Sequence, residues 1–255
     1  MNPGEQLFFN ALLVSSFVVA GLVFVVLFAI SAPYGRHGRA GWGPSVSNRL
    51  GWLLMETPAV LTIAVCFWLG AGPGASAALV LVVLWEIHYV HRAWIYPFRL
   101  PKEGRPMPVF VVGMALLFNL SNGYLNGRYL GLHSEDYPTA WLTEPRFLIG
   151  VTLFFVGFGI NLHADRILLK LRRPGDNGYA IPHGGLFRWI SCPNYLGECL
   201  EWVGWAIAAW SLPGLLFAVW TAANLVPRAL AHHRWYRTTF PDYPPERRAI
   251  VPYLF

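Results

Sequence analysis

Charge is what this chain has least of. Asp, Glu, Lys and Arg make up 13% of its 255 residues, against 55% hydrophobic. Soluble domains carry about a quarter charged residues, so this balance speaks against a water-exposed surface of the ordinary kind. Cysteine is also scarce. Cys66, Cys192 and Cys199 lack metal-ligand spacing, and the last two lie near a boundary where thiols stay reduced, so all three are read as unpaired. The histidines, including the close pairs His88/His91 and His232/His233, complete none of the HxxxH or HxxHH boxes of membrane di-iron oxygenases, so no metal is expected. The glycine-rich stretch Gly70–Gly74 has no strand before it and no suitably placed acidic residue after it. It is therefore a tight turn between helices and not a dinucleotide fingerprint. Repeats, low-complexity tracts and linkers are absent too, which leaves a single domain over 1–255.

What the chain has in quantity is apolar sequence of membrane length. A hydrocarbon core about 30 Å thick takes about 20 apolar residues to cross. Seven such runs lie at about 7–31, 50–70, 76–96, 108–125, 146–170, 194–211 and 213–238. The first is longer than a signal-peptide core and no small-residue cleavage site follows it, so it is expected to stay as a helix. Of 19 Lys and Arg, 17 fall in four clusters, 36–49, 92–105, 166–188 and 228–248, leaving Arg128 and Arg146 apart. These clusters occupy alternate connections, and such connections stay on the cytoplasmic side. The expected fold is therefore an all-α, polytopic membrane protein of seven transmembrane helices, N-terminus outside and C-terminus cytoplasmic. Its membrane is a bacterial inner membrane or the endoplasmic reticulum. The cytoplasmic loops account for the net charge of +6, so no nucleic-acid partner is expected. The expected partners are membrane lipids and a lipid-like substrate, bound by a monomer.

Ionisable side chains inside membrane spans are costly and mark functional sites by default. Here they form stripes. Asn161, Asp165 and Arg172 stand at i, i+4 and i+11; Asn194, Glu198 and Glu201 at i, i+4 and i+7; Arg228, His232 and Tyr236 at i, i+4 and i+8. Each set shares one helical face. The third helix adds Glu86, Tyr89 and Tyr96, with Arg92 nearby. Mutual pairing between helices explains any one of these residues. Three parallel stripes at one depth describe a polar cavity open to the cytoplasm. Its Arg and His suit phosphates, its carboxylates suit ribose hydroxyls or an amide, and its Tyr suits stacking, which matches a nucleotide-sized ligand.

Glu56 and Tyr89 each lie about six or seven residues from the same boundary, roughly 10 Å deep at 1.5 Å per residue. A carboxyl and a phenol at equal depth on neighbouring helices can share one hydrogen bond. Two readings stay open: a pair that donates to a substrate oxygen, the carboxyl being neutral in an apolar surround, or an ordinary tie between helices.

Several ordered motifs carry a resemblance. They include Asn161-Leu162-His163-Ala164-Asp165, Leu171-Arg172-Arg173-Pro174-Gly175, Tyr179-Ala180-Ile181-Pro182 and Pro193-Asn194-Tyr195-Leu196-Gly197-Glu198. His232-His233-Arg234-Trp235-Tyr236 follows, with Tyr34-Gly35-Arg36-His37, Glu56-Thr57-Pro58, His88-Tyr89-Val90-His91-Arg92 and Gly104-Arg105-Pro106 earlier in the chain. Together they resemble the steroid 5-alpha-reductase family over nearly the whole length. The resemblance implies NADPH as cofactor, bound in a cytoplasm-facing cavity, and reduction of the C4–C5 double bond of a 3-oxo-4-ene steroid. It implies that Glu56 and Tyr89 polarise the ketone. It implies a cofactor site of Asn161, Asp165, Arg172, Tyr179, Asn194, Glu198, Arg228, His232 and Tyr236, extended by Tyr34, Arg92, Tyr96 and Arg105. Most of that site falls in 146–255, and Trp52 and Trp202 would wall a flat apolar substrate. The chain departs from the family pattern at Tyr179-Ala180, where Tyr–Arg is usual, and at Lys102-Glu103, where Asn–Arg is usual. Related readings are reductases of other conjugated alkenes, such as enoyl thioesters or polyprenols, and a membrane methyltransferase.

Overall fold

The computed structural model describes residues 1–31, 37–38, 41–72, 74–101, 105–171 and 179–254. Runs of Leu, Val, Phe and Ala, with few breakers, make seven long helices among them. These are α1 (Pro3–Ala29), α2 (Asn48–Trp68), α3 (Ser76–Arg99), α4 (Val109–Leu132), α5 (Pro145–Leu171), α6 (Pro193–Ala209) and α7 (Leu212–Thr239). All but α6 are long and apolar enough to cross a membrane; α6 has 17 residues. The two-stranded sheet among the described residues is β1 (Ser45–Val46) paired antiparallel with β2 (Met107–Pro108), which ties the approach to α2 to the approach to α4. The chain is an all-α polytopic membrane protein.

Local chemistry sets the helix ends. The Asn2 side chain accepts from the Glu5 N–H at 2.8 Å, and Ser211 accepts from that of Gly214 at 3.1 Å, each capping an N-terminus that has no intrahelical acceptor. Helix α6 stops at Trp210, whose φ of 47° is left-handed. The expected bounds hold to within a few residues except at the end of α4. Helix α4 runs to Leu132, beyond the expected 125, because Gly127 and Gly131 are contact points and not breakers. A Cβ on Gly127 would lie 2.5 Å from the Ile63 carbonyl oxygen of α2. Helix α3 runs to Arg99 through a π turn at His91–Ile95, where the Tyr96 N–H reaches the His91 carbonyl.

Close backbone approach also sets the α5–α6 pair. A Cβ on Gly197 would meet the Gly157 carbonyl oxygen and the Asn161 N–H nitrogen at 2.6 Å each. Small residues let membrane helices approach this closely, and the approach aligns Asn161 and Asp165 with Asn194 and Glu198. The core between the helices is aromatic. Trp85, Trp202 and Trp205 are fully buried around Phe217, and the Trp85 and Trp205 indoles donate to the carbonyls of Ala59 and Leu81 at 3.2 and 3.0 Å. Beyond α7 the tail returns to the strand-like segment before α6. The Ser191 and Cys192 N–H groups donate to the Arg248 and Ala249 carbonyls at 2.8 and 3.1 Å.

Candidate active site

Polar side chains gather at the end of the bundle where α2, α4 and α6 begin and α3, α5 and α7 finish. Arg92, in the π turn of α3, is the hub. Its Nη1 lies 3.3 Å from Asp165 Oδ2 and its Nη2 3.6 Å from Glu198 Oε2, with the three side chains 16%, 7% and 17% exposed. The guanidinium carbon lies 4.6 Å from the Trp52 ring centroid and 4.9 Å from that of Tyr96, a cation–π arrangement. Asn161 Nδ2 donates to the Asn194 carbonyl at 3.0 Å and to Glu198 Oε2 at 3.4 Å. Arg92 thus bridges a carboxylate on α5 and one on α6.

A second group adjoins through Tyr195, the sequence neighbour of Asn194. His232 on α7 bonds Tyr195 OH through Nε2 at 3.1 Å and His37 Nε2 through Nδ1 at 2.9 Å, with the two imidazoles stacked at 4.9 Å. The Arg228 guanidinium lies 5.5 Å from the Tyr195 ring, and its Nη1 donates to Asn224 Oδ1 at 3.5 Å. Arg105 stands over the Tyr179 ring at 5.4 Å, and Tyr179 meets Trp235 edge-on at 5.1 Å. Arg228 and Arg105 are the cations of these groups. Tyr236 is buried and stacked on Tyr243 at 5.2 Å, within the packing of the C-terminal tail. Burial pushes the Tyr243 phenol up; Ser191 Oγ stands 2.7 Å from its oxygen and 2.6 Å from His233 Nδ1. Tyr34 and Arg172 lie outside the described residues.

Glu56 and Tyr89 meet beside the hub, because Tyr89 precedes Arg92 by three residues on α3. Asn119 of α4 joins them. Its Nδ2 donates to Glu56 Oε2 at 3.1 Å and to the Met55 carbonyl at 2.6 Å, and Tyr89 OH donates to its Oδ1 at 3.5 Å. Equal depth on neighbouring helices allows the two residues to share one bond; in the structure both contact the Asn119 amide. Tyr89 stacks on Trp85 at 4.9 Å and lies 5.6 Å from Trp202, which is packed within the aromatic core. Trp52 meets Tyr96 edge-on at 5.3 Å.

The residues that sequence reasoning missed are Asn119, His37, Tyr195 and His88. His88 Nδ1 lies 2.9 Å from Oε1 of the fully buried Glu201. Asn119 had a readable signal, since Asn119, Asn122 and Asn126 stand at i, i+3 and i+7, a polar stripe like the others. His37 stood in one of the motifs of the resemblance, but its pairing had no signal, as its partner is 195 residues away. A groove of about 530 Å³ between α5 and the turn at 185–189, lined by Phe155, Ile160, Leu186 and Trp189, contains none of the predicted site residues.

With this geometry in hand, residues 105–255 match the family described as 3-oxo-5-alpha-steroid 4-dehydrogenase. The chain is similar to a steroid 5-alpha-reductase of Gossypium hirsutum, 41% identical over 98% of this chain and 99% of the relative. It is similar to 3-oxo-5-alpha-steroid 4-dehydrogenase 1 of Bos taurus, 38% identical over the full length of both, and to its Homo sapiens counterpart, 43% identical over 87% of this chain and 86% of the relative.

Proposed function

The chain belongs to the steroid 5-alpha-reductase family, and from that membership we propose that it is an NADPH-dependent reductase of the C4–C5 double bond of 3-oxo-4-ene steroids. It is an oxidoreductase acting on CH–CH groups, with 5α-reduced 3-oxosteroids as product. Seven crossings, with the N-terminus outside and the polar end of the bundle facing the cytoplasm, agree with the clustering of Lys and Arg in alternate connections.

The donor set around Arg92 and His232 fits a dinucleotide. Arg228, His232 and Arg105 supply cations and donors for phosphates, while Asp165, Glu198 and the Asn161–Asn194 pair accept from hydroxyls and an amide. When bound, NADPH supplies the hydride. The chain's own part is to hold the steroid ketone and to stabilise charge that grows on its oxygen as carbon 5 is reduced. Glu56 and Tyr89 are the groups for that task. A bond that strengthens as the oxygen becomes enolate-like lowers the barrier, whereas equal binding of ground and transition states does not. The aromatic core behind Tyr89 excludes water from that face of the pair. Protonation at carbon 4 completes the reaction.

The observation that carries this reading is the placement of Glu56 and Tyr89, joined through Asn119, one helical turn from the Arg92–Asp165–Glu198 cluster. Its test is NADPH oxidation by the detergent-purified protein with and without a 3-oxo-4-ene steroid, with the product identified. Steroid-dependent oxidation yielding a 5α-reduced product is expected. NADPH binding without steroid turnover would move the substrate to enoyl or polyprenyl compounds, and no NADPH binding would remove the reductase reading. Glu56→Gln and Tyr89→Phe are each expected to cost roughly 10²–10³ in turnover, the loss seen when an oxyanion donor is removed.

A further inference from the structure

Asn119 is 3% exposed in the middle of α4, between Phe118 and Leu120. An amide in an apolar span is costly unless its donors and acceptor are matched, and a tie between α4 and α2 would need only the bond to the Met55 carbonyl. Asn119 makes two further contacts, and both go to the pair assigned to the ketone.

The orientation of this amide follows from its partners. The Met55 carbonyl only accepts, so the NH₂ group must face it, and the same NH₂ reaches Glu56 Oε2. Oδ1 is then the atom facing Tyr89, and the phenol must be the donor of that bond. One side chain therefore offers the Tyr89 hydroxyl proton its acceptor and holds one Glu56 oxygen. The two bonds differ in strength. At 2.6 Å the Met55 bond is short and anchors the amide, whereas at 3.5 Å the Tyr89 bond is at the limit of hydrogen bonding and cheap to exchange.

We propose that Asn119 is a positioning residue for the Glu56–Tyr89 pair: it holds the Tyr89 hydroxyl proton on Oδ1 in the substrate-free enzyme and yields it to the steroid ketone while keeping Glu56 in place. This rests on the assignment of that pair to the ketone. In this role Asn119 acts through Glu56 and Tyr89, the side chains it contacts. Its effect belongs in kcat, because the alignment it supplies matters most when charge develops on the ketone oxygen.

The experiment is a double-mutant cycle of Asn119→Leu with Tyr89→Phe, following steroid-dependent NADPH oxidation and measuring NADPH affinity for every variant. Asn119→Leu is expected to lower kcat by about 10², with KM for steroid and Kd for NADPH within about threefold of wild type. In the Tyr89→Phe background the same change should cost at least about tenfold less than it does alone, since the hydroxyl it positions is gone and only its hold on Glu56 is left to lose. Independent, multiplicative losses would overturn the proposal, as would a loss confined to KM. Asn119→Ala is run in parallel, and the cycle is read in whichever variant keeps NADPH binding. Loss of NADPH binding in both would assign the residue to folding and overturn the proposal. If Tyr89→Phe alone left kcat unchanged, the ketone assignment would fail first, so the two failures are told apart.

Discussion

Arg92 shows how much one buried side chain can hold. Its guanidinium is shared between Asp165 and Glu198 and is flanked by Trp52 and Tyr96. Arg92→Ala would remove the cation that Asp165 and Glu198 share in a site largely closed to water. Removing one partner of a buried ion pair typically costs about 3–5 kcal/mol, mostly through the charge left behind. The expected result is a marked drop in the unfolding temperature in detergent, partly recovered when Glu198→Gln is added, because the second change removes the stranded charge. Arg92→Lys should retain the charge yet lose the planar stacking on both rings. Helical spacing marked Asp165 and Glu198 as members of stripes, and Arg92 as a neighbour of another. That a single cation serves both carboxylates depends on the π turn, whose extra residue re-aims the side chains of α3 and leaves no mark in the apolar pattern.

Helix pairs translate these residue contacts into positions. Gly157 and Gly197 bring α5 and α6 together at the depth of Asn161, so a side chain at Gly197 would run into the α5 backbone at Gly157 and Asn161. Gly197→Val is expected to force the helices apart, separate Asn161 from Asn194 and Glu198, and lower both thermal stability and NADPH affinity. Gly159→Ala, two residues along α5 from Gly157, meets open space and should leave both unchanged, the substitution even favouring the helix slightly. Unfolding temperatures and NADPH titrations of the two variants check this. The apolar runs of these helices were plain in the sequence, because hydropathy is a property of each segment alone. The extent of α4 was not: Gly123, Gly127 and Gly131 look like interruptions until the opposing face of α2 is known, and then they are what lets the helices touch.

The bundle as a whole is asymmetric in charge, and its two apparent exceptions are neutralised. Arg128 forms a two-pronged pair with Glu5 at 2.6 and 3.2 Å, and Arg146 pairs with Glu144 at 2.5 Å while standing 3.9 Å over the Trp141 ring. The other 17 Lys and Arg fall in the alternate connections that would face the cytoplasm. The shortness of α6 makes the number of crossings the point to test. Single reporter cysteines at Glu135 and Asp242, labelled with a membrane-impermeant maleimide in sealed vesicles, should react from opposite sides, outside and inside respectively. Labelling of both from one side would mean that α6 does not cross. Membrane residence, helix number and the stripes of Asn, Asp, Glu, Arg and His could be read from the chain alone, because length, hydropathy and a period of 3.6 are local quantities. The bridging of Glu56 to Tyr89 by Asn119 and the pairing of His37 with His232 could not. Each joins residues far apart in the chain, 63 and 195 positions for the contacts of Asn119 with Glu56 and of His37 with His232. Whether such residues meet depends on how each helix is rotated and how closely it packs on its neighbours.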